Sequence, residues 1–329
     1  MKEILHHLFE HKTLTKNEAY EVLKKMASGD YNAAQIAAFI TVYMMRSITV
    51  EELEGFRNAM LELCVPVDLK EYNTIDVCGT GGDSKDTFNI STISAFVVAA
   101  AGVRVAKHGN YGVSSVSGSS SVMEYLGYQF TADIDHLRQK IDKAGICFMH
   151  APLFHPAVKN VAPIRKDLGV KTFFNMLGPM INPAQPQNQM VGVFNLELAR
   201  LYAYLYQKEQ KNYAVVHALD GYDEISLTGA FKLFTNRSEQ LLQPEDIGFH
   251  TLLPHELSSG GTVKDAAQIF LQILKGEGTP AQNTVVCANA GIAIHCANPY
   301  TSIENCIALA KEMLESKKAW KTFTLFMPQ

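Results

Sequence analysis

The sequence predicts an α/β protein with a small all-helical domain followed by a large α/β domain that has a mostly parallel central sheet. Residues 1–65 place apolar side chains at helical spacing and show no strand signal. From residue 74 onward, short apolar runs rich in β-branched residues alternate with glycine loops and helical patterns. The length of 329 residues fits one large domain or two modest ones, and a chain of that length can bury a core that needs no disulfides.

Four helices are expected in the first domain. Two of them begin at capping boxes, Thr15–Glu18 and Thr49–Glu52, in which the threonine and glutamate side chains bond each other's backbone N–H groups. Gly29 ends the second helix and Pro66 ends the fourth, because neither residue continues a helix well. The other two helices are predicted near the N-terminus and over residues 32–46.

The second domain follows the order strand, glycine loop, helix, strand, which is typical of a largely parallel sheet. Strands are expected at residues 74–78, 103–107, 146–149, 189–194, 213–219 and 231–235. Helices are expected at residues 89–101, 119–127, 134–144, 197–209, 262–275, 282–294 and 303–316. The Pro/Gly-rich segment 175–183 is interpreted as a crossing between the domains.

Charge and cysteine usage exclude several classes of protein. The net charge of −4, from 29 basic and 33 acidic residues, argues against a nucleic-acid binder, which needs surplus Lys and Arg. The six cysteines form no Cys-x-x-Cys pair, so we expect buried reduced thiols and a cytoplasmic location. The N-terminus lacks the apolar stretch of a signal peptide, and the apolar run at residues 93–103 is too short to cross a bilayer.

The first candidate site is the loop Gly79–Asp83, which follows a predicted strand. Its glycines can expose backbone N–H groups to an anion. Ser84 occupies the third glycine position of a dinucleotide fingerprint, and no Gly-Lys-Ser/Thr follows, so neither common nucleotide motif is present. A plain tight turn is the alternative. Polar groups at the start of the next helix favour a phosphate site; they are Thr87, Asn89, Ser91 and Thr92, although Asn89 could be a simple helix cap.

A second candidate loop runs from Lys107 to Ser120 and also begins at a strand end, where the ligand crevice of an α/β sheet lies. Lys107 can offset phosphate charge, and the serines can donate hydrogen bonds. The alternative is a flexible connection, since serine-rich segments often serve as one.

Three further positions carry polar or charged groups that suit a ligand. Asp223 and Glu224 follow a predicted strand and suit Mg²⁺, which prefers oxygen ligands; an ordinary exposed turn is the alternative. This acidic pair precedes Thr228 and Gly229 as in the common phosphoribosyltransferase fold, but its offset from the strand and the unexplained glycine loop argue against that fold. Arg165 suits a bidentate carboxylate contact, with a surface charge as the alternative.

Two histidines, His150 and His155, flank a short apolar stretch. Neither has a second metal-ligating residue at a useful spacing, so a pocket wall or a core position is the better interpretation of both.

These segments together resemble the anthranilate phosphoribosyltransferase family of the tryptophan pathway. The resemblance covers nearly the whole chain, and the order and spacing of its motifs are specific. The motifs are the helical N-terminal block, Gly79–Asp83, Asn89–Thr92, Lys107–Asn110, Ser117–Ser119, Arg165 with Leu168 and Gly169, Phe174–Pro179 with Asn182 and Pro183, Asp223 with Glu224, and Asn289 with Ala290.

The resemblance implies a fold similar to that of pyrimidine nucleoside phosphorylases. It divides the chain into a helical domain at 1–65, with a return segment near 165–185, and a catalytic α/β domain at 70–329. The implied reaction transfers the phosphoribosyl group of phosphoribosyl pyrophosphate (PRPP) to anthranilate with Mg²⁺. It also implies a homodimer formed through the helical domain.

The resemblance further implies a set of site residues. PRPP would be held by Gly79, Gly82, Asp83, Thr87, Asn89, Ser91, Thr92, Lys107, Ser115 and Ser119. Anthranilate would be held by Gly79, Asn110 and Arg165, and Mg²⁺ by Ser91, Asp223 and Glu224. No residue would serve as a general base, and Lys107, Asn110 and Arg165 would position the reactants.

The chain departs from the family pattern in one loop. Tyr111 and Val116 stand where many members have cationic residues, and Ser121 stands where an acidic residue is frequent. Two rival interpretations are a pyrimidine nucleoside phosphorylase and a relative that has lost catalysis and binds nucleic acid. Lys107–Asn110 with Arg165 argues against the first. The negative net charge and the Asp223–Glu224 pair argue against the second.

Overall fold

The computed structural model describes residues 1–112 and 118–328. Its helices are α1 (Lys2–Phe9), α2 (Lys16–Ser28), α3 (Ala33–Met45), α4 (Val50–Glu62), α5 (Ile90–Ala100), α6 (Ser119–Tyr125), α7 (Ile134–Ala144), α8 (Ala151–Phe154), α9 (Ala162–Leu168), α10 (Phe174–Leu177), α11 (Leu196–Lys208), α12 (Val263–Leu274), α13 (Pro280–Ala297), α14 (Ile303–Glu315) and α15 (Lys318–Phe326). Its strands are β1 (Ile75–Gly79), β2 (Val105–Gly109), β3 (Ile146–His150), β4 (Asn188–Gly192), β5 (Asn212–Ala218), β6 (Phe231–Thr235) and β7 (Glu239–Leu242).

The chain forms two compact units. The helical unit comprises Met1–Val67 and Ala151–Gln185, and the α/β unit comprises Asp68–His150 and Pro186–Gln329. The second segment of the helical unit therefore begins at Ala151, earlier than the return segment near 165–185 that the family resemblance implies. Backbone bonds tie this segment to the end of the first one, because the Val65 N–H donates to the Phe154 carbonyl at 2.8 Å.

The helical unit has an aromatic core that joins its two segments. Phe39, Tyr43 and Phe56 come from the first segment, and Phe173 comes from the second; Phe56 and Phe173 stack with ring centroids 4.6 Å apart. Both predicted capping boxes are present, at the N-termini of α2 and α4. Because such aromatic pairs bury large apolar areas, they explain why the second segment packs in this unit.

The α/β unit is built on a seven-stranded sheet with the order β3-β2-β1-β4-β5-β6-β7. The first five strands in this order are parallel, and β6 and β7 are antiparallel to their neighbours. The fold class that the sequence predicts is therefore confirmed. Helix α5 is apolar on nearly all sides, as expected for a buried helix, and its Phe96 packs against Phe270, Phe323 and Phe326.

The sequence pattern does not predict β7 or α15. The sequence of β7, Glu-Gln-Leu-Leu, contains no β-branched residue, and the strand lies largely exposed at the sheet edge. Lys317, with φ +59°, separates α15 from α14, so the break lacks the usual glycine signal. All six cysteines are buried and free, as expected. Within the residues that the structure describes, no helix is both long and apolar enough to cross a membrane.

Candidate active site

Three of the parallel strands end in glycine at the same edge of the sheet. These residues are Gly79 of β1, Gly109 of β2 and Gly192 of β4, and Gly79 pairs directly with Gly192. Parallel strands present their carboxyl ends together, and ligands of α/β proteins bind outside that edge. The segments that follow these strands therefore form the candidate site.

The glycine loop after β1 folds over the acidic pair. Gly81 and Gly82 have φ values of +66° and +83°, which favour glycine. The Gly81 N–H donates to Oδ2 of Asp223 at 2.6 Å. A Cβ added at Gly79 would overlap Oδ2 of Asp223, and one added at Gly192 would overlap the Asp223 carbonyl oxygen. The absence of side chains at both strand ends thus makes room for Asp223.

The N-terminus of α5 contacts Glu224, the second residue of the acidic pair. The hydroxyl and the backbone N–H of Ser91 both hydrogen-bond the Glu224 carboxylate. Asn89 occupies the N-cap position, but its side chain makes no capping bond to the helix, so capping does not account for it. Within the described residues, the buried Thr92 hydroxyl has no hydrogen-bond partner. The Thr92 hydroxyl is therefore available to a ligand at this helix start.

Burial makes the acidic pair hard to ionise. It raises the pKa of Asp223 well above its ordinary value, and the neighbouring Glu224 and Asp83 charges raise it further. Burial also raises the pKa of Glu224 to about 8, although the nearby Lys107 opposes this shift. Asp83, Asp223 and Glu224 thus place three acidic side chains close together, which disfavours the ionised form of Asp223. A cation at this position would let the whole group ionise.

The donor set fits Mg²⁺. Asp223, Glu224 and Ser91 offer oxygen atoms, and the Asp83 Oδ2 is buried without a hydrogen-bond partner among the described residues. Mg²⁺ is usually held by one or two carboxylates together with water and substrate phosphates. Among the described residues, no group of three or more His, Cys, Asp or Glu side chains is placed to hold a metal ion, so water and substrate phosphates would have to complete the coordination.

Lys107 lies deeper than a surface phosphate ligand would. Its side chain is buried, and Nζ donates to the Val77 carbonyl oxygen at 2.7 Å. Its charge acts on Glu224, because Lys107 is the main group that lowers the pKa of that carboxyl against burial. The ammonium group therefore belongs to the acidic centre.

The structure describes both ends of the second predicted loop, which runs from Lys107 to Ser120. Asn110 is exposed, and its carbonyl oxygen accepts bonds from the Ser119 hydroxyl at 3.2 Å and the Ser120 N–H at 3.1 Å. These bonds tie the two ends of the loop together. Ser115 and Val116 lie outside the described residues.

Tyr111, one of the departures from the family pattern, packs against the end of β3. Its ring meets His150 edge-on at 4.8 Å, and its hydroxyl lies 3.4 Å from the Glu124 carboxylate. His150 and His155 are both buried, in agreement with a wall or core position. Burial lowers the pKa of His150, and its Nδ1 lies 2.8 Å from the Ser120 hydroxyl. Tyr111 thus contributes an aromatic wall where a cation is common in the family.

Arg165 lies in the helical unit, on α9. Its guanidinium donates to the Asn175 Oδ1 at 3.3 Å and stacks over the Phe174 ring at 5.1 Å. Burial lowers the pKa of Arg165, and its Nε has no hydrogen-bond partner among the described residues. These contacts hold the Arg165 side chain in place and leave its Nε–H group able to donate a hydrogen bond to an anion.

Sequence reasoning missed two contributors to this site. Gly192 makes room for Asp223, and the only local signal is that β4, like β1, ends in glycine. The hydroxyl of Thr80, inside the glycine loop, is buried with no hydrogen-bond partner among the described residues. Its position between Gly79 and Gly81 could have marked it as a candidate ligand.

Comparison with known proteins places the chain in a family. Residues 71–320 match the glycosyl transferase family a/b domain, and residues 2–64 match the helical bundle domain of the same family. The anthranilate phosphoribosyltransferase of Christiangramia forsetii is 62% identical, over 98% of this chain and 97% of the relative. The chain belongs to the anthranilate phosphoribosyltransferase family. A relative from Bacteroides thetaiotaomicron is 54% identical over 99% of this chain and 98% of its own length.

Solved structures of this family share the fold. The Thermus thermophilus anthranilate phosphoribosyltransferase has a TM-score of 0.91 and 32% identity, covering 98% of this chain and 97% of that one. The Saccharomyces cerevisiae enzyme, in complex with PRPP and Mg, has a TM-score of 0.86 and 25% identity, covering 95% and 93%. The family and the enzyme class predicted from the sequence are confirmed: this protein is a glycosyltransferase.

Proposed function

We propose that this protein transfers the phosphoribosyl group of PRPP to the amine of anthranilate, giving N-(5-phosphoribosyl)anthranilate and pyrophosphate. This is the second step of tryptophan synthesis from chorismate, and the family's activity supports it. The observation that carries the proposal is the meeting of three segments at one point. Gly81 donates to Asp223, and Ser91 hydrogen-bonds Glu224, so the glycine loop, α5 and the acidic pair form a single polar centre.

The α/β unit is assigned as the catalytic domain that binds PRPP. Glycine-loop N–H groups and the N-terminus of α5 present donors to phosphate oxygens. The assigned residues are Gly79, Gly82, Asp83, Thr87, Asn89, Ser91, Thr92, Lys107, Ser115 and Ser119. Tyr111 and Val116 supply no charge, so either the backbone N–H groups and Mg²⁺ would carry more of the binding of the pyrophosphate group, or PRPP would bind more weakly than in relatives with cations there.

Ser91, Asp223 and Glu224 are assigned as Mg²⁺ ligands. The raised pKa values of the two carboxyl groups support this assignment, because a divalent cation compensates buried negative charge. The yeast relative in complex with PRPP and Mg supports it as well. When bound, Mg²⁺ stabilises negative charge on the departing pyrophosphate.

In the reaction, the bond between C1 of the ribose and the pyrophosphate oxygen breaks, and pyrophosphate keeps the electron pair. A bond then joins C1 to the anthranilate nitrogen, which releases one proton. The ribose passes through an oxocarbenium-like state, as in other glycosyl transfers. The aromatic amine is neutral near pH 7, so no residue is assigned as a general base. Lys107 adds positive charge at the acidic centre, and catalysis rests on positioning.

Anthranilate is assigned to Gly79, Asn110 and Arg165, with Arg165 binding the carboxylate. A planar guanidinium can make two parallel hydrogen bonds to a carboxylate. Its remaining donors and its packing on Phe174 support this role.

A homodimer through the helical unit is also proposed. Phe9 and Met45 of this unit are 58% and 84% exposed, and exposed apolar side chains of this kind occur at protein interfaces. The buried free thiols support action in the reducing cytoplasm.

The test follows the fluorescence of anthranilate after PRPP and Mg²⁺ are added. A fluorescence decrease is expected, and thymidine with phosphate should give no reaction. The double variant Asp223→Asn with Glu224→Gln should lose the Mg²⁺-dependent rate, whereas Asp220→Asn, an exposed neighbour, should keep it. Folded protein that leaves anthranilate fluorescence unchanged contradicts the proposed reaction, and full Mg²⁺-dependent activity in the double variant contradicts the metal assignment.

A further inference from the structure

One buried asparagine in the middle of α13 bonds the backbone beside the acidic pair. Asn289 is fully buried, and its Oδ1 accepts from the Ile225 N–H at 3.1 Å. Its Nδ2 donates to the Ile225 carbonyl at 2.9 Å and to the Val285 carbonyl, also at 2.9 Å. The side chain thus pairs with both backbone groups of the residue that directly follows Glu224.

This pairing takes the place of a strand neighbour. Residues 219–230 contain no helix or strand, and Ile225 is fully buried. A buried backbone without sheet partners needs other hydrogen bonds, because unpaired N–H and carbonyl groups are costly. Leu227, at φ +59°, turns the chain sharply just after this point. Asn289 is therefore the anchor of an irregular segment.

The acidic pair is held from two other directions. The Gly81 N–H holds Oδ2 of Asp223, and Ser91 holds the carboxylate of Glu224. Both of these contacts act on the side chains. Asn289 instead bonds the backbone of Ile225, which directly follows Glu224. It therefore fixes the backbone beside the residues that carry the two carboxylates.

We propose that Asn289 is a positioning residue that fixes the two carboxylates for the metal-dependent step. This inference rests on the proposed function, since it takes Asp223 and Glu224 as the Mg²⁺ ligands. Asn289 is not itself assigned as a metal ligand, because its side-chain oxygen and nitrogen bond backbone groups of Ile225 and Val285. Residues that orient metal ligands from behind typically change metal affinity or activity roughly 10–100-fold when they are replaced.

The chain offers a matched control in Asn188. Asn188 is equally buried, and its Nδ2 donates to the Thr74 carbonyl at 3.1 Å while its Oδ1 accepts from Asn212 at 2.9 Å. It lies at the first residue of β4, the end opposite Gly192. Replacing it disrupts a comparable buried network away from the acidic pair.

The experiment compares Asn289→Leu with Asn188→Leu. Both variants should lower the unfolding temperature. Only Asn289→Leu should raise the Mg²⁺ concentration for half-maximal activity, by roughly 10–100-fold, while the KM for anthranilate at saturating Mg²⁺ stays unchanged. Asn289→Asp keeps the side-chain volume and one hydrogen bond, so it provides the same comparison where the leucine variant does not fold.

A second readout does not depend on activity. Mn²⁺ binding in the presence of inorganic pyrophosphate, followed by electron paramagnetic resonance, should weaken in the Asn289 variants and not in Asn188→Leu. Equal Mg²⁺ and Mn²⁺ responses in the Asn289 and Asn188 variants would overturn the inference and leave the proposed function standing. A wild-type protein that binds Mn²⁺ but does not consume anthranilate would instead overturn the proposed function.

Discussion

The backbone N–H of Gly81 donates a 2.6 Å hydrogen bond to Oδ2 of Asp223, across 142 residues of sequence. This bond joins the loop that follows β1 to the irregular segment that follows β5. This bond can form because Gly79 and Gly192, which pair in the sheet, have no side chains and leave the space that Asp223 fills. The candidate metal site therefore depends on the two glycines, which leave room for Asp223, as well as on the acidic side chains themselves.

Gly192→Ala should disrupt the acidic pair. The added Cβ would overlap the Asp223 carbonyl oxygen, which is backbone and cannot rotate away. Because displacing reacting groups by about 1 Å can cost on the order of 100-fold in rate, we expect a loss of that size in kcat/KM for PRPP. Gly229→Ala is the control, since the nearest atom to its added Cβ, Oδ2 of Asp220, lies 4.0 Å away. Equal kcat/KM values in the two variants would contradict this account.

Local signals explain what the sequence predicts well. The capping boxes at Thr15 and Thr49 depend on residues three positions apart, and both helices begin where the pattern indicates. Short apolar runs likewise predict the strands β1 to β6. The edge strand β7 was missed, because two exposed polar residues and two leucines give no strand signal.

Long-range contacts explain what the sequence does not predict. The candidate residues could be named from motifs, but the space that Gly192 leaves for Asp223 depends on how distant strands pair. The depth of Lys107 is another example, since its bond to Val77 arises only once β1 and β2 lie side by side. Motif spacing identifies which side chains matter, and packing decides which atoms each one meets.

Metal activation should depend on pH. Burial raises the pKa of Glu224 to about 8 and that of Asp223 well above its ordinary value, and only the ionised carboxylates bind a cation. Below the raised pKa the ionised fraction falls roughly tenfold per pH unit. The Mg²⁺ concentration for half-maximal activity should therefore fall as the pH rises from about 7 to about 9. Steady-state rates measured across Mg²⁺ concentrations at each pH check this.

The same shift predicts a stability change in the metal-free protein. The folded state keeps the Glu224 proton above pH 4.5, the ordinary value for glutamate, up to about 8. It then binds more protons than the unfolded chain, so stability falls as the pH rises through this window. Unfolding temperatures should show this slope without Mg²⁺ and a smaller slope with it. An identical slope in Glu224→Gln would show that another group is responsible.

Arg165→Ala should weaken anthranilate binding selectively. Hydrogen bonds to charged groups are worth about 1.5–3 kcal/mol, so the KM for anthranilate should rise roughly 10–100-fold while the KM for PRPP stays near its wild-type value. Arg165→Lys keeps the charge but loses the planar pair of donors. Its KM for anthranilate should therefore lie between those of the wild type and Arg165→Ala. The control is Lys166→Ala, an exposed neighbour on α9. An unchanged KM for anthranilate in Arg165→Ala would remove the carboxylate contact from the proposed site.

Arg46→Ala should destabilise the helical unit strongly. Glu52 is fully buried, and its carboxylate accepts two bonds from the Arg46 guanidinium, at 2.5 and 2.9 Å, and one from the Leu14 N–H at 2.9 Å. Removing one partner of a buried pair leaves an uncompensated charge and costs about 3–5 kcal/mol. Lys12→Ala removes the exposed Lys12–Glu10 pair of the same unit and should cost less than about 1 kcal/mol.

The pH dependence of this loss distinguishes the ion pair from simple loss of packing. Burial alone would raise the pKa of Glu52, but the bonds from Arg46 and from the Leu14 and Thr49 N–H groups outweigh it and lower the pKa below 4.5. A lowered carboxyl pKa adds stability above the unfolded-state value, and this stability is lost as the pH falls through the folded-state value. Urea unfolding at neutral and acidic pH should therefore show a large difference between wild type and Arg46→Ala at neutral pH that shrinks in acid. A difference that is the same at both pH values would assign the loss to the aliphatic part of Arg46, because that contribution does not depend on the charge of Glu52.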